Sequence, residues 1–365
     1  MTKFLLTILL IMGSLSAFSA DDEALTKGMV NPGFYEKPDW FKQSFLDLQE
    51  DLHDANGNKK RIILYFHQDG CPYCKKLLDD NFSRKDIVNK MKQHYELLAI
   101  NMWGDKAVTL VTGEETTEKE FAKSMKVMFT PTLVALDNKG APLFRMNGYY
   151  EPDKFSSVLD YLLLFSDTSV DNQKQPDFNE FYRQQLMAKG DAEQRQPSKK
   201  ALPGLHTEMF ITSENNLQEL IENSQLPVML LFEQQYCAEC DELHGDVFRR
   251  LPIYKALKQF KIVQIDMNSS DLITAANGQS MTKKELAKSL NIQYTPSMIF
   301  YESGKPGNMH NPVFRSEAYL KSFHIQALLE YISTKSYLTE PEFQRFVQAK
   351  ADKLHAEGIE FDLLD

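Results

Sequence analysis

Cys71-Pro72-Tyr73-Cys74 and Cys237-Ala238-Glu239-Cys240 hold all four cysteines of the 365-residue chain, and Thr130-Pro131 and Thr295-Pro296 follow them at matching distances. A thiolate that attacks a disulfide needs a second thiol to resolve the mixed disulfide. Two intervening residues place both sulfurs on the first turn of one helix. The spacing predicts two thiol-disulfide redox centres. Free amide groups and the helix dipole favour a thiolate at a helix N-terminus, so Cys71 and Cys237 are the expected attacking sulfurs, ionising below the free value of about 8.5. Cys74 and Cys240, one turn further in, are the expected resolving thiols.

One duplication organises the chain around these motifs. At an offset of 165 or 166 residues, Leu64-Tyr65-Phe66 falls on Leu230-Leu231-Phe232 and Ile100-Asn101-Met102 on Ile265-Asp266-Met267. Lys119-Glu120-Phe121-Ala122-Lys123-Ser124 falls on Lys284-Glu285-Leu286-Ala287-Lys288-Ser289, and Pro176-Asp177-Phe178 recurs as Pro341-Glu342-Phe343. Such a series marks two copies of one domain.

The periodicities give each copy the same order of elements. Phe41, Phe45, Leu48 and Leu52 recur at helical spacing, residues 61–67 form a β-rich run, and the cysteine pair opens a helix. Strands over 96–102 and 132–136, a helix over 117–125, a turn at Asn138-Lys139-Gly140 into a strand over 143–146, and a helix over 152–165 complete the first copy. The second repeats them over 217–221, 228–233, 262–267, 283–290, 297–301 and 319–332. Alternating strands and helices followed by a hairpin predict an α/β fold in which each copy is a mixed sheet flanked by helices.

Strand, Cys-x-x-Cys at a helix start, and Thr-Pro ahead of an edge hairpin resemble the thioredoxin fold, twice over. The phrase Phe66-His67-Gln68-Asp69-Gly70-Cys71-Pro72-Tyr73-Cys74-Lys75-Lys76 is similar to exported thioredoxin-related proteins of the SoxW-like group, and its Cys-Pro-Tyr-Cys also matches glutaredoxins. The resemblance implies cis bonds at Pro131 and Pro296, with Thr130 and Thr295 presenting backbone to a substrate chain. It also implies no cofactor, since cysteines carry the electrons. Two departures stand out: Tyr65 and Leu231 occupy the place of the family's buried acid, six residues before each first cysteine. His67 and Glu233, four residues before it, are then the candidates for proton transfer. Ala318 also stands where the first copy has Gly148.

Lys3, the apolar run 4–12 and small residues up to Ala17 or Ala20 read as a secretory signal peptide. The division expected is a signal peptide at 1–20, a first domain at 21–190, a polar, breaker-rich linker at 191–207 and a second domain at 208–365. Removing 1–20 takes away one of 41 basic side chains and none of 51 acidic ones. The acidic balance favours solubility and gives nucleic acid nothing to bind. No other run approaches the roughly 20 apolar residues of a spanning helix.

Other uses of paired cysteines fit poorly. Haem attachment needs histidine after the second cysteine, where Lys75 and Asp241 stand, and 162 residues between Cys74 and Cys237 are too many for a zinc ribbon. Met102 and Met267 are imaginable soft-metal neighbours but lie in strands, where core packing is expected. No metal site is therefore assigned. The chain reads as an exported, periplasmic thiol-disulfide oxidoreductase acting on protein thiols or disulfides, with reduction favoured over the other directions. The resemblance adds a membrane electron-transfer partner of the DsbD type. The other reading is a client-binding or metal-handling module with static disulfides. Lys75 and Lys76 beside the first motif, against Glu239, Asp241 and Glu242 around the second, make the second domain the expected reductant of the first.

Overall fold

The computed structural model describes residues 33–165, 177–188, 205–304, 311–318, 320–359 and 361. The signal peptide and most of the linker expected from the sequence lie outside the described residues.

In the first copy, α1 (Leu48–Gly57) starts at Asp47, whose carboxylate accepts from the Gln49 and Glu50 amides. The expected helical stripe from Phe41 is corrected here. Leu46 takes a left-handed φ of 63°, so the helix cannot extend back through it, and Phe45 is 99% exposed rather than part of the core. Trp40 and Phe41 do pack, as non-helical residues, edge-on against Phe82. Strand β1 (Arg61–His67) leads to α2 (Pro72–Lys76), which continues as a π-helical turn, Leu77–Asn81. Then follow α3 (Lys85–His94), β2 (Tyr95–Asn101), the short hairpin β3 (Ala107–Thr109) and β4 (Glu115–Thr117), and α4 (Glu118–Ser124) capped by Thr117. Strands β5 (Thr132–Leu136) and β6 (Pro142–Asn147), α5 (Pro152–Leu162) and α6 (Phe178–Ala188) close the copy.

The second copy runs α7 (Leu217–Asn223), β7 (Val228–Glu233), α8 (Ala238–Gly245), α9 (Leu251–Leu257) and β8 (Lys261–Asp266). A second short hairpin, β9 (Leu272–Thr274) and β10 (Ser280–Thr282), precedes α10 (Lys283–Ser289), which opens with a full capping box between Thr282 and Glu285. Strands β11 (Ser297–Tyr301) and β12 (Phe314–Ser316) and helices α11 (Ser322–Ser333) and α12 (Phe343–Ala356) follow.

Each copy forms a four-stranded mixed sheet, ordered β2-β1-β5-β6 and β8-β7-β11-β12, with the first pair parallel and the others antiparallel. Alternation along the central strand divides the core. Ile63 and Tyr65 face α3 and α5 through Ile87, Met91, Phe155 and Leu159, while Ile62, Leu64 and Phe66 face α1 and α4. In the second copy Met229 and Leu231 face α9 and α11, and Leu230 and Phe232 face α7 and α10. Helices therefore cover both faces of both sheets. Met102 and Met267 sit in these apolar clusters.

The copies also pack on each other, and they do so reciprocally. Phe129, just before Thr130-Pro131, lies against Phe314 and Phe343 of the second copy. Tyr294, just before Thr295-Pro296, lies against Tyr150 of the first, ring centroids 4.9 Å apart. Asn147 and Ala318 form a parallel β-bridge between the end of β6 and the segment after β12. Phe343 thus serves both domains, not only its own.

Candidate functional site

The first motif caps its own helix. Cys71 is extended at the N-cap of α2, Pro72 fills the first helical position where no amide is needed, and the Cys74 N–H donates to Cys71 Sγ at 3.1 Å. Thr130 closes the site: its hydroxyl donates to Cys71 Sγ at 3.2 Å, and the Cys71 thiol donates to the Thr130 carbonyl at 3.3 Å. Thr130-Pro131 is cis, and the Gly148 N–H, on a left-handed φ of 76°, donates to the Pro131 carbonyl at 2.7 Å. Cys71, Cys74, Thr130 and Pro131 therefore converge.

The second motif repeats the frame in another redox state. Cys237 caps α8 and accepts from the Cys240 N–H at 3.1 Å, and the two sulfurs are joined as a disulfide, whereas Cys71 and Cys74 are free thiols. Thr295-Pro296 is cis, Thr295 is buried, and Pro296 lines a small recess with Glu239 and Ala318.

The order of acidities expected in the first motif is reversed. Burial, then the hydrogen bond and charge of Cys74, push the Cys71 thiol well up. Cys74 is held below the ordinary thiol value: burial opposes this, but hydrogen bonds from Cys71 and Tyr35 outweigh it. Both sulfurs are buried, so desolvation raises each; the physical reason for the order is the hydrogen bond between them together with that of Tyr35, which favour charge on Cys74.

Tyr35 is a site residue that sequence reasoning missed. Its hydroxyl donates to the Gln68 carbonyl at 2.8 Å and lies within reach of Cys74; burial and then the two sulfurs push the phenol up, keeping it protonated. Tyr65, at the place of the family's acid, is likewise pushed well up, first by burial and then by Cys74. His67 stacks on Tyr65 at 5.4 Å and is pushed down to about 3, chiefly by burial. It is a neutral core ring at ordinary pH. Phenols thus surround the inner sulfur where a carboxylate was absent.

Glu233 is placed differently. It is buried, and its carboxylate accepts from Gln264 at 2.6 Å and faces His244 Nε2 at 3.0 Å. Burial pulls His244 down, yet Glu233 and then Glu208 hold it above the ordinary imidazole value. His206 stacks on His244 at 4.6 Å and meets Asp241 at 2.6 Å.

The charges expected to separate the two centres are compensated. Lys75 and Lys76 pair with Asp79 and Asp80, one turn along their own helix. Asp241 pairs with His206, Glu242 with Lys321, and Glu239 with Lys154 of the first copy at 2.9 Å. Bare charge beside the two motifs therefore sets no order of electron flow between them.

A match to the thioredoxin-like domain covers residues 48–163 and again 214–333, so the chain belongs to the thioredoxin-like domain family, in two copies. Thiol:disulfide interchange protein DsbD of Campylobacter jejuni is 27% identical over 96 residues, which is 26% of this chain and 15% of that protein. The chain thus matches only a small part of that relative's length. Among solved structures, a thioredoxin-fold protein from Helicobacter pylori is 21% identical, covering 37% of this chain and 88% of its own, with a TM-score of 0.31. The C-terminal domain of Neisseria meningitidis DsbD is 12% identical, covering 30% and 87%, with a TM-score of 0.24. Among the described residues no helix is long and apolar enough to cross a membrane.

Proposed function

We propose that the chain is a thiol-disulfide oxidoreductase that exchanges dithiol and disulfide with protein cysteines. The observation that carries this reading is the contact of Cys71 Sγ with both the hydroxyl and the carbonyl of Thr130, which puts an attacking sulfur beside a backbone edge able to pair with a client chain. Cys71 and Cys237 attack, Cys74 and Cys240 resolve, and Thr130-Pro131 and Thr295-Pro296 hold the client. In the first domain the client reaches Cys71 once the covering domain moves aside.

The finer reading is a protein of the SoxW-like kind, exported by a leader at 1–20 to the periplasm, with domains at 21–190 and 208–365 joined by a linker at 191–207. There it works as a reductant, recharged by a membrane protein of the DsbD type. The segment similarity to DsbD supports this placement. Insulin-disulfide reduction by a dithiol donor tests the activity: wild type accelerates it, and Cys71→Ser with Cys237→Ser abolishes the acceleration. Equal activity in the two proteins would leave a client-binding module with static disulfides as the better description.

A further inference from the structure

We infer that Lys154, carried by the first domain, is a positioning residue of the second domain's redox centre and sets the balance between the Cys237–Cys240 disulfide and its dithiol through Glu239. The role presupposes the exchange activity proposed above.

Lys154 stands in the first turn of α5 and is 8% exposed. Its ammonium lies 2.9 Å from Glu239 Oε1 and 4.2 Å from the centre of the Tyr294 ring, with the rings of Tyr150 and Tyr182 at 5.6 Å and 5.9 Å. Glu239 lies between the two cysteines of the second motif, and Tyr294 precedes Thr295-Pro296. One cation from the other domain therefore touches both halves of the second site. A cation held among aromatic faces and shielded from water acts on a neighbouring carboxylate more strongly than a surface lysine does.

The duplication shows that the contact is matched to its motif. His324 holds the place in α11 that Lys154 holds in α5, and it meets Tyr73, the counterpart of Glu239, with ring centroids 5.3 Å apart. Where the motif carries an acid, the facing domain supplies a cation; where the motif carries a tyrosine, it supplies an imidazole. Asp241 pairs with His206 at the end of the linker and Glu242 with Lys321 of the second domain, whereas Glu239 is answered from across the interface.

The chemistry gives the sign. Reduction breaks the Cys237–Cys240 bond with two electrons from two glutathione thiols, which leave as glutathione disulfide, and both cysteines become thiols. An uncompensated carboxylate beside Cys237 disfavours its thiolate and hence the dithiol state; the Lys154 ammonium cancels that charge. Removing Lys154 makes the second centre more reducing.

The test uses the full-length chain equilibrated in glutathione buffers, with the dithiol fraction of the Cys237/Cys240 peptide read by isotopic alkylation and mass spectrometry. Lys154→Gln shifts the equilibrium toward disulfide by about threefold to tenfold, tenfold being ~30 mV for a two-electron couple. Lys154→Arg restores the wild-type value. Lys154→Gln combined with Glu239→Gln, a neutral pair, returns close to wild type. No shift in Lys154→Gln, or the same shift when Glu239→Gln is already present, overturns the assignment while leaving the exchange activity standing. A wild-type second motif that stays oxidised in every buffer overturns the assignment together with the exchange role of that motif, and leaves the first motif's role to the insulin assay.

Discussion

His324 meets Tyr73 edge-to-face at 5.3 Å, although one belongs to the second domain and the other to the first redox motif. The contact seals the first motif: Tyr73 is 6% exposed, Cys71 3% and His324 6%. Together with Phe129 on Phe314 and Tyr294 on Tyr150, it sets domain pairing in competition with the client binding proposed above for one surface.

That competition depends on pH. Burial alone pushes His324 down to about 4 from its ordinary 6.5, and its Nδ1 has no hydrogen-bond partner among the described residues. A depressed histidine stabilises the paired state above its free value, and that stability is lost as pH falls from about 6.5 toward 4. Pairing is expected to weaken by about 2 kcal/mol at pH 5 relative to neutrality. Small-angle scattering should show the wild type expanding between pH 7.5 and pH 5, and His324→Phe remaining compact. Identical profiles would contradict this role for His324.

Phe129 tests the cover by packing. It is 4% exposed and lies between Phe314 and Phe343, so Phe129→Ala removes contacts of the kind that cost about 3–5 kcal/mol in a core. Part of that loss falls on domain pairing. Iodoacetamide should then label Cys71 in the reduced protein at least tenfold faster than in wild type, with Cys74 still protected. An unchanged rate would mean that the second domain does not control access.

Much of this frame was legible in the sequence because its signals are local. Arg61–His67, Thr132–Leu136, Val228–Glu233 and Ser297–Tyr301 each carry an apolar run of four or five residues, and the structure places the strands at those bounds. Phe45 misled because helical spacing does not register the left-handed Leu46 that separates it from α1. The hairpins β3–β4 and β9–β10 were missed, since three-residue strands carry too little alternation to read. Tyr35 lies in an irregular segment before the first helix, with no period to mark it. Lys154 and His324 take equivalent positions in the two copies, but what they touch is set by how the copies pack, which no spacing within one copy encodes.

Tyr35 predicts an effect on acidity. When the inner sulfur ionises, the Tyr35 proton can turn from the Gln68 carbonyl to Cys74, and a hydrogen bond to a charged group contributes roughly 1.5–3 kcal/mol. Tyr35→Phe should raise the first thiol pKa of the Cys71/Cys74 pair by about one unit or more. Thiolate absorbance against pH, in a chain whose Cys237 and Cys240 are replaced by serine, reads it directly. An unshifted titration would remove Tyr35 from the site.

The Glu233–His244 pair predicts a stability effect of opposite pH sense to that of His324. Both side chains are 1% exposed, and Glu233 also holds Gln264, so Glu233→Gln leaves a buried imidazole with only the more distant Glu208, at 3.4 Å, as counter-charge. Breaking such a pair costs about 3–5 kcal/mol. Because His244 is held above 6.5, its paired form contributes fully below that value, and the contribution is lost as pH rises through the raised value. The destabilisation by Glu233→Gln should therefore be largest near pH 6 and shrink by pH 9, measured as the shift in the urea midpoint of the second domain followed by hydrogen exchange in β7. A penalty of the same size at both pH values would show that Glu233 acts there through packing and the Gln264 hydrogen bond, with no charge on His244.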